Sequence, residues 1–293
     1  MARELAVGGS IVVPRRVSRR QVPRFFRYRS AVIGATIIAL ILLVALLAPL
    51  LTTHDPVYVD PNIRLQPPDA IHTLGTDNHG RDMLSRIVFG ARLSLLIGFG
   101  VSVLTVTVGT GIGLLSGYFG RFDSIVMRVM DGLMAFPGVI LAIAIMAAVG
   151  PRVENVIFSL TVVYTPRLAR VIRSAVLTLR ELQYVEAAHA IGVGTPRILL
   201  RHILPNCLGI LTVQATFIFA DAVLGEASLS FLGAGVPPEI PSWGSMLGDA
   251  RQYLARAPWT MLAPGAALML VVLGLNLLGD GVRDLLDPKL RKL

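Results

Sequence analysis

Residues Glu186–Asn206 read EAAHAIGVGTPRILLRHILPN, a mixed, basic stretch in a chain otherwise dominated by apolar runs. Glu186 is followed by Ala187, Ala188, Ala190 and Ile191, good or neutral helix formers. Gly192 and Gly194 interrupt them, and glycine is the usual residue where a helix closes in a left-handed turn. Thr195 before Pro196 predicts an N-cap and a proline at the first helical position. The second helix then runs through Ile198, Leu199 and Leu200 and is expected to stop before Pro205. Leu199, Leu200 and Ile203 share one side of it, with Arg197 and Arg201 as a basic edge. An ordinary surface helical hairpin satisfies the same spacing.

The surrounding chain decides the class. Its 293 residues are 54% hydrophobic with a mean hydropathy of +0.69, and only 15% are charged, against roughly 25% in soluble domains. A net charge of +9 raises nucleic acid as a partner, but long uncharged runs argue against it and place the charge on loops beside a bilayer. The one cysteine, Cys207, excludes an intrachain disulfide and a cysteine metal cluster.

Residues 1–30 form an arginine-rich tail in which Phe25, Phe26 and Tyr28 are placed as interfacial aromatics. Ala31–Leu51 then runs 21 residues without a charge, ~31 Å as a helix and enough to span. A cleavable signal has a shorter apolar region, so this reads as a first transmembrane helix. Residues 52–92, with Pro56, Pro61, Pro67 and Pro68, read as an external loop ending in an amphipathic interfacial helix. His72 and His79 have no evident metal-ligating neighbour in sequence, and no metal is expected.

A five-helix core is expected over residues 93–282. Leu93–Gly117 is the second span, and Gly109, Gly113 and Gly117 make a stripe where helix backbones approach closely. Gly132–Gly150, containing Pro137, is the third. The fourth starts near Val153 and continues past Arg167, with Arg167, Arg170 and Arg173 as a helical edge. Cys207–Leu224 and Met261–Gly279 complete six spans around a loop over 180–206, and residues 283–293 form a tail. Trp243 and Trp259, in or beside the 226–258 segment, are expected at the outer interface. With both termini inside, the N-terminal tail, the 117–128 loop, the 166–205 loop and the C-terminus hold 20 lysines and arginines and the opposite segments 7. That asymmetry puts the Glu186 loop in the cytoplasm.

Catalytic signals are missing. The only lysines, Lys289 and Lys292, belong to no G-x-x-x-x-G-K-[ST] pattern, and no G-x-S-x-G, H-E-x-x-H or C-x-x-C occurs. Asp221 and Glu226 stand out as intramembrane or interfacial acids, with a functional site or an external structural role both open.

Glu186-Ala187-Ala188, Gly192 and Ile203-Leu204-Pro205 resemble the EAA loop of ABC importer permeases. His72-Thr73-Leu74-Gly75-Thr76-Asp77, Gly80-Arg81-Asp82, Leu84-Ser85-Arg86, the Glu226–Gly233 stretch and Pro241-Ser242-Trp243-Gly244 are similar to the C-type subunits of dipeptide, oligopeptide and nickel importers. The resemblance covers roughly residues 25–293. It implies an all-α membrane protein with six transmembrane helices in the type I ABC importer permease fold. It also implies a bacterial or archaeal cell membrane, no enzymatic activity, and no cofactor in this chain, ATP and magnesium being held by partner ATPases. Expected partners are a homologous second permease, two ABC ATPase subunits, an external substrate-binding protein and a peptide substrate. Docking to the ATPase is implied for Tyr184, Glu186, Ala187, Ala188, Ile191, Gly192, Val193, Thr195, Pro196, Ile198 and Leu199. The alternatives are an energy-independent channel or secondary transporter, or a membrane-embedded hydrolase. Within the family, nickel or another small solute stays open as substrate.

Overall fold

The computed structural model describes residues 28–286. The arginine tail with Phe25 and Phe26, and the terminal lysines, lie outside the described residues. Helix α1, Arg29–Leu46, is followed by the single turn α2, Ala48–Leu51. Arg92 donates to the Ala45 carbonyl (2.5 Å) and the Leu46 carbonyl (3.0 Å), satisfying acceptors that a helix end leaves unpaired.

Helix α3, Met83–Tyr118, has 36 residues, ~54 Å in length against a hydrocarbon core of ~30 Å. The interfacial helix and second span expected as separate elements are therefore one rod. Its start is fixed by Asp82, whose carboxylate accepts from the Ser85 amide at 2.8 Å.

The third span is corrected. Helices α4, Gly120–Met134, and α5, Gly138–Val149, meet at 95° around Pro137. Pro137 has extended backbone (φ −56°, ψ 128°) and cannot supply the N–H that would carry a helix through. The 12 residues of α5 reach only ~18 Å. Helix α6, Val153–Leu179, starts where the sequence placed it and contains Pro166.

After α7, Gln183–Ala190, a 37-residue helix α8 runs over Thr195–Phe231. Pro205 does not end it, contrary to expectation. A proline in a helix crowds the carbonyl four residues back, and here that residue, Arg201, sits in a π-helical stretch, Ile198–Ile203. The wider turn absorbs the ring. It also shifts the side-chain phase, so Ile198, Leu199 and Ile203 are buried and Leu200 is 60% exposed. The short α9, Trp243–Ala250, and the long α10, Trp259–Leu286, complete the chain.

Among the described residues four helices, α1, α3, α8 and α10, are long and apolar enough to cross a membrane, and the bent α4–α5 pair makes a fifth candidate. The six-span count therefore rests on α6, whose 27 residues reach ~40 Å but carry Arg167, Arg170 and Arg173.

Close approach organises the packing. A Cβ on Gly109 would lie 3.0 Å from Leu168, one on Gly113 2.7 Å from the Ala169 carbonyl, and one on Gly117 2.6 Å from Val176. The stripe thus lies against α6 of the same chain. A second seam, unmarked by sequence spacing, joins α1 to α10, where a Cβ on Gly34 would run into the Leu278 amide. At one end of the bundle, Leu114, Ile172, Val176, Val185, Ile198 and Ile203 form a continuous apolar cluster. At the other, Met83, Leu95, Trp243, Met246 and Val271 form a second.

Candidate functional site: the Gly192 turn and its supports

The turn between α7 and α8 is built by backbone hydrogen bonds. The Val193 amide donates to the Ala188 carbonyl at 3.0 Å, and the Gly192 amide to the His189 carbonyl at 2.9 Å. This paired pattern ends a helix with a left-handed residue, and Gly192 has φ 80°. Gly194 then caps α8, its carbonyl accepting from the Arg197 and Ile198 amides. Thr195 is thus the first helical residue instead of the cap, so the helix starts one position earlier than expected, and the Thr195 hydroxyl makes no capping bond.

Burial divides the residues for which docking is implied. Ala188, Ile198 and Leu199 are buried in the cluster with Val176, Val185 and Ile203, so they anchor the turn and are closed to any other molecule. Tyr184, Glu186, Ala187, Ile191, Gly192 and Pro196 are exposed, and Val193 and Thr195 half-buried. Ile191, at the tip, is 81% exposed. Tyr184 is steadied by Asn206, whose amide donates to its hydroxyl (3.2 Å) and to the His202 carbonyl (2.6 Å). The base is tied to the end of α3 by a bond between the Tyr118 hydroxyl and His189 Nε2 (2.8 Å) and by Arg180 donating to the Gly117 carbonyl (3.0 Å). The result is a rigid bracket with an apolar tip.

From that bracket a line of charge climbs α6. Arg173 forms a bidentate pair with Asp123 and Arg170 bonds Asp131 at 2.6 Å, both acids being on α4. Arg167 faces Asp221 of α8 across 3.8 Å, without a hydrogen bond. Sequence spacing revealed the arginines but not their partners.

Opposite the turn, Glu226 is fully buried. Its carboxyl accepts from Ser230 (2.8 Å), Ser242 (2.9 Å) and Ser94 (3.3 Å), the last two lying on other elements. Ser242 caps α9, and Trp243, expected at the interface, is buried with its indole N–H on the Ile87 carbonyl at 3.0 Å. Trp259 is half-buried and donates to the Thr76 carbonyl at 3.2 Å. Arg81 pairs with Asp77 (2.6 Å) and with Asp249 (3.0 Å). His72 also gains neighbours: its Nδ1 lies 2.9 Å from Asp82, and His54 packs on its ring at 4.9 Å. This corrects the expectation that His72 lacks metal-ligating neighbours, since these three residues present ligand atoms within 4.8 Å of one another. Both Asp82 oxygens are already engaged, one by His72 and one by the Ser85 amide, so the group serves as a latch. His79 turns instead to Asn78.

Long apolar helices, a bent helix pair and a bracketed turn at one end define an α-helical multi-pass membrane protein. Residues 83–292 match the family model described as binding-protein-dependent transport system inner membrane component. Residues 18–68 match the N-terminal transmembrane domain of oligopeptide transport permease C. The chain is 49% identical to a putative peptide transport system permease protein of Brucella abortus, over 92% of this chain and 90% of that protein. It is 47% identical to a dipeptide transport system permease protein of Alkalihalophilus pseudofirmus, over 89% and 86% respectively. Among solved structures, a chain of the MetNI methionine ABC transporter matches with TM-score 0.58 and 21% identity, over 70% of this chain and 98% of that one. The protein belongs to the family of binding-protein-dependent transport system inner membrane components and has the type I ABC importer permease fold.

Proposed function

We propose that this chain is one of two permease subunits of an ATP-driven importer for dipeptides or oligopeptides, and that the Gly192 turn is its contact with an ATPase subunit. The peptide substrate is supported by the names of relatives that match along nearly the whole chain. Docking is supported by one observation above the rest: a turn anchored by buried Ala188, Ile198 and Leu199 presents an exposed apolar tip, Ile191, beside Tyr184. Exposed apolar groups on a rigid bracket fit a partner's cleft better than they fit water. The excess of basic residues on the segments flanking this end supports a cytoplasmic position.

In this reading ATP and magnesium bind two partner ATPase subunits. Their closure carries the turn inward, and α7 passes the movement to α6 and α3 through Val185, Tyr118 and Arg180. The second permease supplies the other wall of the pathway, and an external binding protein delivers the peptide. ATP acts by favouring one of two arrangements of the helices.

Gly192→Val tests the contact. Among the described residues a Cβ at Gly192 would meet nothing within 4 Å, so the cost expected there is that of the left-handed backbone, about 1–2 kcal/mol. The variant is expected to insert and to pair with the second permease, while ATP-driven peptide uptake in proteoliposomes falls sharply. Uptake at the wild-type rate would refute the docking role.

A further inference from the structure

Arg167 and Asp221 lie where charge is least expected. Arg167 is 14 residues beyond Val153 at the start of α6, ~21 Å along the helix, and Asp221 is 10 residues before Phe231 at the end of α8, ~15 Å from it. Helix ends set at the edges of a ~30 Å hydrocarbon core would put both inside it. Yet their side chains are 75% and 47% exposed. A charged pair facing lipid at that depth is strongly disfavoured, so this face of α6 and α8 is turned to water or to another subunit.

The geometry is that of an open pair. Arg170 and Arg173 hold their acids in direct hydrogen bonds, whereas the 3.8 Å between Arg167 and Asp221 leaves the guanidinium donors and the carboxylate oxygens, among the described residues, open to a third party. Between them is a cavity of about 170 Å³ walled by Tyr164, Leu168, Gln214, Phe217 and Ile218. Arg167 and Asp221 both line it as well. Tyr164 is not available, because its hydroxyl donates to the Asp221 carbonyl at 2.8 Å and thereby fixes α8 against α6. Gln214 adds a neutral donor and acceptor, and Phe217 and Ile218 add apolar wall.

We propose that this cavity is a binding station on the translocation path for the charged ends of a free peptide. Arg167 takes the terminal carboxylate, in the two-pronged geometry that guanidinium favours, and Asp221 takes the terminal ammonium. The inference rests on the peptide-importer reading and deepens it: a zwitterion needs both charges met as it crosses, and the two groups stand side by side in one cavity.

The test uses the complex with its second permease, ATPases and binding protein in proteoliposomes, with di-alanine as substrate. Cys207 is buried, and Cys207→Ala gives a cysteine-free background. In it, Arg167→Cys and Asp221→Cys are expected to react with a sulfonated, water-soluble thiol reagent, more slowly when di-alanine is present. Failure of both to react in any nucleotide state would overturn the proposal. Arg167→Gln and Asp221→Asn are each expected to lower di-alanine uptake about tenfold, the loss of one charge-assisted contact, with the complex still co-purifying. The exchange Arg167→Asp with Asp221→Arg should not restore uptake if a ligand is oriented there. Restoration to the wild-type rate would show a plain structural ion pair and refute the station. Should the wild-type complex fail to move di-alanine while the cysteines react and di-alanine does not slow them, both the peptide reading and the station fall. If wild type and neutral variants import equally, only the station falls.

Discussion

At one end of the molecule a fully buried carboxyl, Glu226, is surrounded by Ser94, Ser230 and Ser242 from three elements, and Arg81 spans Asp77 and Asp249. At the other, Ile191 and Tyr184 stand exposed on a turn whose hydrogen bonds are mostly backbone to backbone. Buried polar networks specify one arrangement and are costly to open, so the first end is a fixed frame. The Gly192 end is rigid inside itself but unfinished on its surface. A transporter needs this asymmetry: a frame that holds the helices in register, and a handle by which they are moved.

Substitutions at the frame should therefore cost stability, and those at the handle should cost transport alone. The largest effect is expected at Glu226. Glu226→Ala strands three serine hydroxyls in a buried site, at about 1–3 kcal/mol for each unsatisfied group, and opens a cavity besides. We expect the solubilised protein to lose its cooperative thermal transition or to unfold at a much lower temperature. Glu226→Gln, which keeps one carbonyl acceptor, should fall between. An unchanged melting temperature for Glu226→Ala would show that the serine network is not what holds α9 to α3 and α8.

The seam between frame and handle is next. A side chain at Gly113 would run into the Ala169 carbonyl at 2.7 Å and Ile172 at 2.7 Å, whereas one at Gly111, two residues away on the same helix, would meet nothing within 4 Å. Gly113→Leu should cost about 1–3 kcal/mol, the usual price of overpacking, and Gly111→Leu should leave the melting temperature where it was. Equal effects would mean that the α3–α6 approach is softer than these distances imply.

Which features were legible in the sequence follows from how local their causes are. The apolar spans and the left-handed Gly192 depend on a few neighbouring residues, and were readable. So was the glycine stripe as a packing face, though not which helix it meets. Pro137 lay inside what read as one continuous third span, and the 95° bend around it was not foreseen. Pro205 misled, because whether a proline ends a helix depends on the π turn before it, and that turn also exchanged Leu200 for Ile198 in the buried set. Glu226 was visible as an acid in an apolar run. Its partners Ser94 and Ser242 lie 132 and 16 residues away, and no spacing rule connects them. For the same reason Trp243, an aromatic expected at the interface, turned out to be core.

The smallest effect, and the one that most sharpens the contrast, is expected at Glu186. It lies exposed on α7, one turn before the tip, where it pairs with no basic side chain among the described residues. Its replacement by alanine removes no buried contact and no cap, so stability should stay within about 0.5 kcal/mol of wild type. A charged contact at the rim of a docking cleft contributes only about 0–1 kcal/mol, so peptide uptake should decline by a small factor, far less than with Gly192→Val, where the backbone of the turn is strained. Thermal melting and uptake measured on the same preparation separate the two ends directly. A lowered melting temperature in Glu186→Ala would place this residue in the frame, and the division between frame and handle would have to be redrawn with α7 on the other side.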